Sequence, residues 1–76
     1  MTNKQMLEML KLLSKHFPIT FYSDMDGYVI TTRLYPTDRY INANHRTFED
    51  TFMMFYYKIS EHVGFKLQEE MWEIMK

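Results

Sequence analysis

An α+β fold is predicted: an N-terminal helix, a two- or three-stranded antiparallel sheet built on a hairpin over 19–35, then two C-terminal helices packed on one sheet face. Three observations predict it. Apolar residues recur with helical period between Met6 and Phe17, Asp26-Gly27 sits between two alternating segments, and phenylalanines recur at helical spacing from Phe48 onward. With 76 residues, the expectation is a single compact domain over 1–76.

The first helix is expected from about residue 3 to 16. Thr2 and Gln5 have the spacing of a capping box. At about 100° per residue, Met6, Met9, Leu10, Leu12, Leu13, His16 and Phe17 share one arc, and Lys4, Glu8, Lys11, Ser14 and Lys15 share the opposite one. Leu7 falls at the edge of the polar arc. His16, on the apolar arc, is expected to be packed or partly buried. Pro18 disfavours helical geometry at Phe17 and ends the element.

Asp26-Gly27 is a strong hairpin signal, because a type I′ turn needs positive φ at both central residues. Pairing outward from it sets Met25 opposite Tyr28, Ser23 opposite Ile30, Phe21 opposite Thr32 and Ile19 opposite Leu34. These residues form a mostly apolar face. Thr20, Tyr22, Asp24, Val29, Thr31 and Arg33 form a mostly polar one. Tyr35-Pro36 closes the second strand. A short third strand is expected over 39–43, with Asn42, Asn44, His45 and Arg46 leading into a loop.

Thr47, with Asp50 three residues later, starts the next helix and sets an acid against the positive end of its dipole. Phe48, Phe52, Phe55, Ile59 and Val63 lie within about 80° of arc, a core-facing stripe. Gly64 is expected as the stop after His62. A last helix over about 66–76 carries Leu67, Met71, Ile74 and Met75 on one side.

Composition narrows the function. Nine cations against ten acids argue against a polybasic nucleic-acid binder, and the absence of cysteine removes disulfides and thiolate metal sites. The first apolar run contains Glu8 and Lys11, so it reads as neither signal peptide nor membrane span, and a cytoplasmic protein is expected. His16, His45 and His62 lack zinc-ligand spacing, and two glycines cannot form a phosphate-binding loop. No metal, no cofactor and no catalytic residues are expected.

Two surface signals remain. Met53, Met54 and Tyr57 lie outside the phenylalanine stripe of their helix. Met adapts to a partner's shape and Trp and Tyr anchor interfaces, so Met53, Met54, Tyr57 and Trp72 are candidate partner-binding residues. Glu61, Glu69, Glu70 and Glu73 would form their acidic rim. The last helix could instead fold back and cover them. The expected function is a non-catalytic protein-binding module, either a homodimer or a regulator that docks on a larger protein. The second signal is the segment 33–46, where Arg33, Tyr35, Arg39, Tyr40 and Arg46 interleave cations with aromatics against one acid, Asp38. That pattern suits nucleic acid, in which tyrosine stacks on bases and arginine tracks phosphate. It is the alternative reading.

Three partial resemblances accompany these signals. Asp24-Met25-Asp26-Gly27, after Ile19 to Ser23, looks like the first motif of haloacid-dehalogenase phosphatases, in which the first Asp is nucleophile and the second acid/base. No later lysine or paired acidic motif matches, and a tight turn explains the same residues. The order helix–strands–helix resembles a double-stranded-RNA-binding domain. That family's lysine cluster at the second helix start is replaced here by Phe48, Glu49 and Asp50. The order helix–sheet–two helices resembles some anti-CRISPR inhibitors, and the excess of Met, Phe and Tyr over a lone alanine fits an AT-rich coding sequence. That resemblance implies a phage or mobile-element inhibitor whose C-terminal acids could mimic phosphate.

Overall fold

The computed structural model describes residues 1–35 and 39–76. Its order is helix, three strands, two helices: α1 (Asn3–Leu13), β1 (Ile19–Asp24), β2 (Gly27–Leu34), β3 (Arg39–His45), α2 (Phe48–Ser60) and α3 (Phe65–Met75). The strands form one antiparallel sheet in the order β1-β2-β3. This is the α+β architecture expected from the sequence. Pro36, read as the stop for β2, and Asp38 lie outside the described residues.

Helix α1 opens with the capping box in full. The Gln5 amide donates to Thr2 Oγ1 at 3.1 Å, and the Thr2 amide donates to Gln5 Oε1 at 2.8 Å. The helix ends at Leu13, earlier than its periodicity suggests, and turns at 14–16 carry the chain to Pro18. His16 is therefore exposed rather than packed, because no helical turn holds it on the apolar arc.

The hairpin register differs by two residues from the expected one. Phe21 pairs with Ile30, Ile19 with Thr32 and Ser23 with Tyr28, around a loop of Met25 and Asp26. Since side chains alternate with period two, this slip changes every partner and leaves every residue on its expected face. No type I′ turn forms, because among the described residues no non-glycine, Asp26 included, has positive φ. Instead Asp24 Oδ1 accepts the Asp26 amide at 2.9 Å, and Gly27 alone takes φ +142°. A Cβ on Gly27 would stand 2.1 Å from the His45 carbonyl oxygen. Glycine is required there by both dihedral and space.

Strand β3 runs on to His45, two residues beyond the expected end at Ala43, so that Asn44 and His45 are paired strand rather than loop. Its buried residues, Ile41 and Ala43, alternate with exposed Tyr40, Asn42 and Asn44. Val29, expected on the solvent face, is buried in the central strand between Tyr22 and Asn44.

Helix α2 lies across β2 and β3. Phe52, Phe55 and Ile59 are fully buried among Met6, Met9, Leu13, Ile30 and Ala43. Thr51 is equally buried and joins three elements. Its hydroxyl donates to the Thr47 carbonyl at 2.8 Å, with the carbonyls of Tyr28 and His45 at 3.2 Å. Helix α3 packs chiefly on α1, where Gln5 Nε2 donates to the Ile74 carbonyl at 3.2 Å. Gly64 is not a left-handed stop for α2; at φ −77° it is the N-cap of α3. No described helix is long and apolar enough to cross a membrane.

Candidate functional site

The register of β2 and β3 places Arg33 directly opposite Tyr40, on the sheet face that α2 leaves uncovered. Tyr35 follows β2 by one residue. The Arg33 guanidinium carbon lies 4.8 Å from the Tyr35 ring centroid and 6.0 Å from that of Tyr40. Such cation–π contacts contribute about 0.5–1 kcal/mol each at exposed sites. They also hold the tyrosines as a pre-formed surface.

Helix α2 adds the second half. Phe55 and Ile59 point into the core, so Tyr57 and Lys58 project sideways over the β3 edge. Lys58 Nζ donates to the Asn42 carbonyl at 2.7 Å. Tyr57, Lys58, Glu61 and His62 then line one depression with Tyr40, Ile41 and Asn42. Tyr35, Tyr40 and Tyr57 are 69%, 66% and 68% exposed. Tyr40 is common to both halves, the Arg33–Tyr35 contact on one side and the Tyr57 depression on the other, so the three tyrosines make an aromatic ridge along β3.

The ridge combines residues from both sequence-predicted sites. Tyr57 belonged to the partner-binding set; Arg33, Tyr35 and Tyr40 belonged to the nucleic-acid set. Arg39 stays nearby, in a groove with Phe17, Leu34, Tyr35 and His62. Arg46 does not, since it lies at the hairpin end with Ser23 to Tyr28.

The remaining partner-binding residues are dispersed. Met53 and Met54 are half-buried and pack against the core. Trp72 is partly exposed on α3, beside Lys66, Glu69, Glu70, Glu73 and Lys76, in a depression separate from that of Tyr57. Glu73 is bonded to Lys76 Nζ at 2.9 Å, which offsets part of the expected acidic rim. Helix α3 reaches α2 where the Tyr56 hydroxyl donates to Met75 Sδ at 3.3 Å. It leaves Tyr57 open.

The meeting of Tyr57 with Tyr40 has no local signature in the sequence, because it depends on where α2 crosses the sheet. The pairing of Arg33 with Tyr40 does have one, namely the alternation of Ile41 and Ala43 that sets the β3 register. Asp24 is engaged in the hairpin turn by the Asp26 amide. Among the described residues no three His, Cys, Asp or Glu side chains are grouped as metal ligands. Compared with family models, curated proteins and solved structures, the chain matches none.

Proposed function

We propose that the chain is a non-catalytic protein-binding module, a regulator or inhibitor that docks on a larger protein through Tyr35, Tyr40 and Tyr57. One observation carries this reading: three tyrosines are each about two-thirds exposed, Tyr35 and Tyr40 held against Arg33 and Tyr57 lining a depression with Tyr40 at the β3 edge. Tyrosine and arginine are enriched at interface hot spots, and tyrosine buries a large area at low conformational-entropy cost.

The same residues are less suited to nucleic acid. Stacking needs free ring faces and phosphate tracking needs free cations. Here Arg33 lies over two of the rings, and Lys58 is bonded to the Asn42 carbonyl. The C-terminal part of the chain, from Thr47 on, carries three lysines against six acids, which repels phosphate.

Affinity capture from a lysate of the source cells tests this, with the natural chain and the Tyr40→Ala/Tyr57→Ala variant as baits. The expected result is a protein that resists nuclease treatment and is lost with the variant. Loss of each hot-spot tyrosine should weaken binding about 30-fold. Equal recovery by both baits, or recovery abolished by nuclease, overturns the proposal.

A further inference from the structure

The sheet has a second edge, and it is bare. Strand β1 pairs only with β2 among the described residues. From Thr20 to Asp24 every residue is exposed, with Phe21 at 45% and Tyr22 at 49%. Phe21 lies on the helix-covered side, yet α2 packs chiefly on β2 and β3 and meets Phe21 at its first residue, Phe48. The Phe21 ring is left at the rim of an aromatic cluster, 5.4 Å from Phe48 and 6.2 Å from Tyr28. Between Pro18 and Ser23 the strand carries no charge, no proline and no lysine, the devices by which natural edges avoid pairing.

We infer that β1 is the self-association surface of this chain, and that its occupant is β1 of a second copy in a two-fold antiparallel pair. Charge supports that occupant. The exposed residues Lys15 and His16 precede the strand, and the exposed acids Asp24 and Asp26 end it. Antiparallel pairing sets the acidic end of one copy against the basic end of the other, while the neutral middle meets itself without repulsion. Closure supports it too. Pairing β1 with the β3 edge of another copy would propagate indefinitely, and that edge is guarded by Lys58 and flanked by α2. Pairing β1 with β1 consumes both bare edges and gives one closed six-stranded sheet. A register centred on Phe21 keeps the helices of both copies on the same side, because paired residues then have equal parity.

Sedimentation equilibrium of the full chain over a concentration series tests the inference. A species of twice 9.4 kDa is expected. Thr20→Lys and Tyr22→Lys, each checked for native circular dichroism, should shift it to monomer. Asp26→Lys should weaken association up to about fivefold at low salt, and adding Lys15→Glu should restore it. A chain that stays monomeric at its solubility limit overturns the inference. So does a dimer indifferent to both lysine variants, or a charge swap that fails to restore association. The tyrosine ridge lies at the other edge, so lysate capture by Tyr40 and Tyr57 is an independent result.

Discussion

Two edges of one small sheet have been treated differently. At the β3 edge a helix crosses the sheet, Lys58 bonds a strand carbonyl, and Tyr40 and Tyr57 stand around the contact. At the β1 edge α2 reaches only as far as Phe48 beside Phe21, the strand itself carries no cation, and two adjacent aromatics, Phe21 and Tyr22, are about half exposed on opposite sides. The difference follows from the width of α2. A single helix, about 10 Å across, covers about two strands spaced about 4.8 Å apart, and α3 packs chiefly on α1 rather than on the sheet. One edge is therefore finished within the chain and the other is not. The finished edge suits a rigid docking ridge; the unfinished one suits strand addition.

The largest expected effect comes from removing what distinguishes the edges. Phe52 is fully buried beneath α2, and its ring is in contact with Phe48 and Tyr56. Phe52→Ala should cost roughly 3–5 kcal/mol, most of the stability of a domain this small. Urea denaturation monitored by circular dichroism should show the cooperative transition lost or strongly shifted. A shift under about 1 kcal/mol would mean that the core relaxes around the cavity. Next in size is Gly27→Ala. Gly27 seats the β1-β2 turn against the end of β3, so a methyl group there forces the hairpin away from His45. The expected loss is on the order of 3 kcal/mol, measured in the same assay.

The smallest effect on stability is the sharpest test of the comparison. Lys58→Ala removes the cation that guards β3 and should change unfolding free energy by less than about 1 kcal/mol. With both edges bare, the chain should form species larger than a dimer, read by static light scattering against concentration. Unchanged scattering would show that α2, rather than the lysine, protects that edge.

Much of this was legible in the residues themselves. The Thr2–Gln5 box, the phenylalanine stripe and the Thr47 cap are local statements, and local hydrogen bonding and periodicity decide them. The faces of the hairpin were legible for the same reason. Its register was not, since a slip of two preserves the polar–apolar pattern and only the turn and the packing above it choose between alternatives. Gly64 shows a similar ambiguity. A glycine between two helical patterns can stop the first or cap the second, and here it caps α3.

The candidate sites divide along the same line. The tyrosines Tyr35, Tyr40 and Tyr57 could be picked out as candidates from the chain, because amphipathic period and residue type are properties of short segments. That Tyr57 would stand beside Tyr40, that Trp72 would lie in a different depression, and that α3 would pack mainly on α1 could not be read. A helix's apolar side shows that it must be covered without naming what covers it. The choice of partner belongs to the competition among all elements for one small core, and only the folded chain resolves it.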